Sequence, residues 1–164
     1  VMYRANGDEK CVISGNKHVE ALKLAVSNEK SEILILGAAI EADITELNDF
    51  EERKMFLDDL GLDEPGVSKL IKKAYKLLNL QTYFTAGEKE VRAWTIKKGM
   101  TAPQAAGVIH TDFEKGFIKA EVIKFSDFVE YGSETSVKEA GKLMIQGKEY
   151  VVNDGDVMHF RFNV

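Results

Sequence analysis

A single cysteine, Cys11, excludes any disulfide within these 164 residues, which suits a reducing cytosol. With only three histidines beside that one thiol, no metal site is expected. No apolar run approaches the ~18 residues of a membrane span. Residues 1–9 are too short and too polar for a signal peptide. Nor does the sequence hold a G-x-x-x-x-G-K-[ST] phosphate loop. Phosphoryl transfer needs backbone N–H groups around the phosphates, a lysine, a hydroxyl on Mg²⁺ and an oriented water. Without the segments that supply these, the chain alone is not expected to hydrolyse a nucleoside triphosphate, and no catalytic residue is assigned. A formal net charge of −5 argues against tight, non-specific nucleic-acid binding through bulk charge.

What is present is a foldable composition, 45% hydrophobic and 30% charged, in a length that suits one ordinary domain or two small ones. Charge is uneven: residues 1–80 carry 11 basic and 15 acidic side chains, residues 81–164 carry 11 and 12. The second half is near neutral, so a local basic face is open to it.

The first half reads as α/β. Residues 1–5 suit a short strand running into a loop over 6–15. Asn16 suits the cap of a helix that presents Val19, Leu22 and Val26 on one face. The apolar run 33–36 suits a strand buried on both faces of a parallel sheet. Asn48 with Glu51 predicts a helix start, Gly61 its stop, and Pro65 the first turn of another helix. There Val67, Leu70, Ile71, Ala74, Leu77 and Leu78 form an apolar stripe expected to be core. Asn79 and Leu80 mark the expected boundary.

The second half reads as α+β. Residues 90–96 have strand propensity, and Gly99 suits a turn. Thr101 and Gln104 predict a capping box, with Pro103 in the first turn and Gly116 as the stop. That helix is expected to bury Ala106, Ile109 and Phe113. Residues 117–124 alternate, with Ile118, Ala120 and Val122 inward and Lys119 and Glu121 outward. A polar, helix-prone excursion follows over 126–147, then a short strand over 148–152 and a tight turn over 153–156. A last strand over 157–164 sets Met158, Phe160 and Phe162 against His159 and Arg161.

The stretch QTYFTAGEKEVRAWTIKKGMTAPQAAGVIHTDFEKGFIKAEVIKF and the closing VVNDGDVMHFRFNV carry a family resemblance. Together they closely resemble the TGS domain, a ubiquitin-like β-grasp module, of the YchF/Obg-like P-loop ATPases. The Ile109-His110-Thr111 helix end and Asp154-Gly155-Asp156 before a closing strand are similar to marks shared by TGS domains. Such domains also occur in threonyl-tRNA synthetases, Obg-type GTPases and Rel/SpoT enzymes. The resemblance implies an α/β remnant of a P-loop NTPase domain over 1–80, followed by an α+β β-grasp TGS domain over 81–164. Since the sequence opens on Val1 and lacks a phosphate loop, it is expected to be the C-terminal part of such an ATPase, with a coiled-coil insertion before Val1.

The family is implied to be cytoplasmic, translation- and redox-linked and ribosome-engaging. It uses ATP with Mg²⁺ in the intact protein, GTP being the other nucleotide to consider. The implied partner is the ribosome or ribosomal RNA, with no membrane and no DNA specificity. Tight nucleotide binding by this chain alone is not expected. The alternative is a free-standing, non-catalytic TGS module that binds RNA or protein. A third expectation concerns residues 1–80: an exposed sheet edge that leaves them marginally stable or shielded by self-association.

Site residues follow from the same resemblance. Asn6-Gly7-Asp8-Glu9 stands where the family carries Asn-x-x-Glu, which implies that Asn6 and Glu9 read the base. An Asn amide both donates and accepts, as an adenine edge requires. Gly37-Ala38-Ala39-Ile40-Glu41 is similar to the family's second base-contacting loop, usually closer to Ser/Cys-Ala-Lys-Ile-Glu, which implies Ala38 and Ala39 as contacts. Gly37 lacks the hydroxyl or thiol, and Ala39 lacks the lysine stem that would cover the base. Arg92, Lys97, Lys98, Lys115, Lys119, Lys124 and Arg161 are candidate RNA or ribosome contacts, with Trp94 and Phe117 as stacking partners. The competing reading makes Trp94 core and the lysines a solvated face interleaved with Glu88, Glu90, Glu114 and Glu121. His110 is expected to cap the C-terminus of its helix.

Overall fold

The computed structural model describes residues 1–29, 31–87 and 90–163. Glu88, named above, and Val164, the end of the expected last strand, lie outside the described residues. The chain forms two compact units of mixed α/β structure, Val1–Leu77 and Leu78–Val164.

The first unit runs β1 (Met2–Asn6), α1 (Glu9–Ser14), α2 (Lys17–Ala25), β2 (Glu32–Leu36), α3 (Ala38–Glu46), α4 (Phe50–Asp59) and α5 (Gly66–Leu77). β1 and β2 pair in parallel, from Met2 opposite Glu32 to Asn6 opposite Leu36. Parallel pairing needs a crossover, and α1 and α2 supply it. The Asn16 side chain accepts from the N–H groups of His18 and Val19, as its position before α2 predicts.

Several expectations change here. Most of the loop expected over 6–15 is helix: Asp8 Oδ1 accepts from Cys11 N at 2.8 Å and so caps α1. Residues 37–41 are a helix start rather than a loop, because Ile40 and Ile44, one turn apart, are buried together with Leu57. α4 follows Asp49 rather than Asn48, and the Asp49 side chain makes no capping bond. Gly61, at φ 67°, lies just past it as expected. In β2 only Leu34 and Leu36 are buried, while Ile33 and Ile35 stay half-buried, so the strand is not covered equally on both faces.

The largest correction concerns α5. Its apolar stripe is not core: no residue of α5 is buried, and Val67 (50%), Ile71 (53%) and Leu77 (47%) stand about half exposed. Two strands make a sheet only about 5 Å from strand axis to strand axis, too narrow a face to cover such a stripe. What fastens α5 is polar. Lys73 and Lys76 reach Glu32 at 2.6 and 2.7 Å, and Glu41 accepts from the backbone of Gly66 and Val67 at 2.7 and 3.0 Å.

The second unit runs β3 (Leu80–Ala86), β4 (Val91–Lys97), α6 (Ala102–Ile109), α7 (Thr111–Lys115), β5 (Phe117–Ile123), α8 (Phe125–Tyr131), α9 (Glu134–Glu139), β6 (Met144–Gln146) and β7 (Val157–Phe162). Its sheet has the order β4-β3-β7-β5-β6. β3 and β7 are parallel and the other pairs antiparallel. One face buries Tyr83, Ile96, Phe117, Ala120, Val122, Met158 and Phe160 against Ala102, Ala105 and Ala106 of α6. Alanines bring the helix backbone close enough for the Tyr83 hydroxyl to donate to Ala105 O at 2.9 Å. The opposite face is partly covered by Val137 of α9 with Phe128 and Leu143, over Ile123 and Val157.

The capping box predicted at Thr101 and Gln104 is present, with Thr101 N donating to Gln104 Oε1 at 2.9 Å. The helix does not run to Gly116, because His110 is extended and breaks it into α6 and α7. The His110 ring does not cap the C-terminus of α6. Its Nδ1 accepts from Asp112 N at 3.2 Å and so serves the start of α7. Gly116 does end α7, for a steric reason: a Cβ there would meet the Asn163 carbonyl oxygen.

In β5 a bulge between Phe117 and Lys119 shifts the register. Phe117 therefore takes the inward place expected of Ile118, which is 57% exposed, and Phe117 is too buried to stack on a base. Residues 148–152 are not a strand. Val151 makes only a bridge to Thr101, and the pairing with β5 comes from β6. The turn over 153–156 is built as predicted around Gly155 at φ 82°. It carries Asp156, fully buried, which accepts from Lys124 Nζ at 2.6 Å, Tyr150 Oη at 2.7 Å and Asn153 N at 2.9 Å.

Candidate functional site

In α/β sheets, ligands collect beyond the carboxyl ends of the parallel strands. Here those ends are Asn6 and Leu36, paired in register. The chain turns back at each: Gly7 N donates to Leu36 O at 2.9 Å, and Asn6 Oδ1 accepts from Ala38 N at 3.0 Å. The second bond fixes the Asn6 amide with its NH₂ free to donate. Among the first-turn N–H groups of α3, left open by helix geometry, Ala38's is taken by Asn6; Ala39, the next residue, is exposed.

Asn6 and Ala38 both line an open, largely apolar cleft of about 850 Å³, with Arg4, Leu36, Ile44 and Val67 among its other walls. Glu9 and Ala39 are not among the lining residues. Glu9 is exposed in the first turn of α1. The structure thus joins Asn6 to Ala38 directly, and places Glu9 and Ala39 on neighbouring helix starts. Glu41 also lines the cleft, yet its carboxylate is spent on the start of α5. On the far side of α5, hydrogen bonds from Lys73 and then Lys76 hold the Glu32 carboxyl well below the usual range, at about 2.

The candidate cationic surface divides. Arg92 lies over the Trp94 ring at 4.0 Å, and Trp94, half-buried, donates from Nε1 to Thr85 Oγ1 at 2.9 Å. Arg161 spends its charge on Glu121, at 3.0 Å, which holds that carboxyl below its ordinary value. Lys124 is withdrawn from the list of phosphate contacts, since its ammonium is engaged by buried Asp156. Lys97, Lys98 and Lys115 are exposed and Lys119 half-buried; among the described residues none of the four forms an ion pair. They are not gathered on one face. Lys97 and Lys98 close the edge strand β4, Lys115 sits on α7, and Lys119 is on the sheet face opposite α6.

The sequence reading missed Asp8 and Glu41 as the side chains that organise this end of the sheet. Asp8 had a local signal, an Asx residue directly before a helical run. Glu41 had none, since its partners lie 25 and 26 residues away.

Known proteins resemble this chain in sequence and fold. The family model YchF-GTPase_C, described as a protein of unknown function (DUF933), matches residues 80–163. The "Ribosome-binding ATPase YchF" of Escherichia coli O157:H7 is 56% identical over 163 residues, which is 99% of this chain and 44% of that protein. The protein of the same name from Bacillus subtilis (strain 168) is 52% identical over 166 residues, 100% of this chain and 45% of that one. Among solved structures, the Schizosaccharomyces pombe YchF GTPase superposes with a TM-score of 0.85 at 38% identity, covering 98% of this chain and 43% of that one. The chain spans less than half the length of the relatives it matches. With the family model over its second unit and more than half of its residues identical to the two bacterial relatives from end to end, the chain belongs to the YchF/Obg-like ATPase family.

Proposed function

We propose that the first unit is the C-terminal portion of an Obg-type P-loop nucleotide-binding domain and supplies base recognition for ATP. Asn6 donates from its amide to the base, Glu9 accepts from it, and the N–H of Ala39 completes the edge. The observation that carries this reading is the Asn6–Ala38 bond, which locks an amide donor at the carboxyl end of the parallel pair. Mg²⁺ and the phosphates would be held by segments that this sequence does not contain, so these residues bind and orient the base and perform no hydrolysis. Adenosine titrated into the chain and followed by NMR is expected to shift Asn6, Glu9, Ala38 and Ala39 at millimolar concentration, ahead of guanosine. Shifts elsewhere, or ATP turnover by this chain alone, would overturn the reading.

The second unit is proposed as a TGS domain of β-grasp topology, supported by its order of two strands, a helix and further strands closed by the β3–β7 parallel pair. Its proposed partner is the ribosome, after the printed name of the relatives, and its proposed setting the cytoplasm. No described helix is long and apolar enough to cross a membrane. RNA contact is assigned to Lys97 and Lys98 first, being exposed, adjacent and without ion pairs among the described residues. An alternative, non-catalytic role in protein binding is separated from this by salt. RNA affinity through several phosphates falls steeply between 50 and 200 mM, whereas a protein interface changes little.

A further inference from the structure

The sheet face opposite α6 carries a group of side chains that the nucleotide and ribosome readings leave unused. Glu121 on β5 and His159 on β7 are direct cross-strand partners. Glu134, the first residue of α9, reaches the same place. The ligating atoms of Glu121, Glu134 and His159 all lie within 4.8 Å of one another. They sit over an apolar floor formed by Ala86, Ile123, Leu143 and Val157.

We propose that these three residues form a binding site for a divalent transition-metal ion of the zinc type. Three arguments support it. First, the group is chemically mixed: one imidazole with two carboxylates suits zinc and its neighbours rather than magnesium or calcium, which prefer all-oxygen shells. Secondly, the partners are free to ligate. Glu134 and His159 have no hydrogen bond or ion pair among the described residues. Glu121 is engaged by Arg161, whose Nε and Nη2 lie 3.3 and 3.0 Å from its two oxygens, but a carboxylate offers about four acceptor directions. Thirdly, the geometry is within reach. Ligands about 2.1 Å from a tetrahedral ion stand about 3.4 Å apart, so a separation of up to 4.8 Å closes by small rotations, chiefly of the exposed Glu134 and His159 side chains. The ion would leave one position for water and would tie the start of α9 to the centre of the sheet. It would also offset the repulsion between two neighbouring carboxylates, which Arg161 relieves only at Glu121.

The test uses the whole chain and Zn²⁺ alone, with Mg²⁺ as comparator, by calorimetry and thermal unfolding. The expected result is one saturable Zn²⁺ site of micromolar affinity and a raised Tm, with little response to Mg²⁺. His159→Ala and Glu134→Gln each weaken binding at least tenfold and remove the Tm gain. Both positions are exposed, so the apo fold survives. His110→Ala, at the other histidine that has a nearby carboxylate, leaves binding unchanged. Absence of saturable binding below 1 mM would overturn the proposal, as would affinity that tracks His110 instead of His159. Either result leaves the nucleotide and ribosome readings untouched, because no residue is shared with them apart from Arg161 at the edge.

Discussion

The two units solve the same packing problem with unequal means. The second closes five strands over an alanine-faced helix and buries an aromatic and aliphatic core that reaches from Tyr83 to Phe160. The first has one parallel pair, a small cluster around Ile40, Ile44 and Leu57, and an amphipathic α5 whose apolar side its own unit does not cover. Apolar burial of about 25 cal/mol per Å² is the main favourable term in folding, so stability belongs mostly to the second unit. The lesson is that an apolar stripe shows which face of a helix seeks a partner, not that the partner is in the same chain.

The sharpest way to break the comparison is to delete equal volumes from both units. Met158→Ala in the second core is expected to cost about 2–5 kcal/mol. Ile71→Ala on α5 should fall within about 0.5 kcal/mol. Trp94, the one tryptophan, reports the second unit by fluorescence during denaturant unfolding, and backbone dichroism reports both. Comparable losses at the two positions would mean that the α5 stripe is covered after all.

Next in size is Asp156→Asn, which keeps one uncharged acceptor oxygen and sets an NH₂ donor against the remaining donors of the three now bonded to the two carboxylate oxygens. Hydrogen bonds to charged groups are worth about 1.5–3 kcal/mol, so a loss of about 2–3 kcal/mol is expected in the Trp94-monitored transition. The half-exposed Lys124 limits it. A loss below about 0.5 kcal/mol would make the turn at 153–156 incidental to the second unit.

A smaller effect separates the units by pH. The Glu32 carboxyl is lowered in the fold, so its contribution is present above its ordinary value of 4.5 and is lost as pH falls towards about 2. The first unit should therefore loosen at α5 over that window, and Glu32→Gln should abolish the inflection. A Glu32 titration midpoint near 4.5, read by carboxyl NMR, would contradict the account. Salt should shrink the effect, because the pair is open to solvent.

Much of this was legible in the sequence wherever the signal is local. Asn16 and Gln104 act at helix starts as their types require, and Gly61 and Gly155 take the left-handed backbone that their positions suggested. The end of α6 at His110 was not legible, because an extended residue between two short helices leaves the periodicity intact. The inward turn of Phe117 was hidden by a bulge between Phe117 and Lys119, while Ala120 and Val122 beyond it keep the inward places that alternation predicts. At the candidate site, Asn6 and Ala38 were readable only through family resemblance, since an isolated Asn-x-x-Glu fits any turn. The grouping of Glu121, Glu134 and His159 had no sequence signal at all. Three elements bring it together, and neither spacing nor residue type announces it.

Native-state hydrogen exchange on the whole chain tests the central contrast most directly, because each amide reports the opening that exposes it. The account predicts that amides of β3, β5 and β7 exchange only through global unfolding of their unit. Those of Ile33–Leu36 should open at a free energy at least about 2 kcal/mol lower. Equal protection of the two sheets, in a chain that stays monomeric, would contradict it.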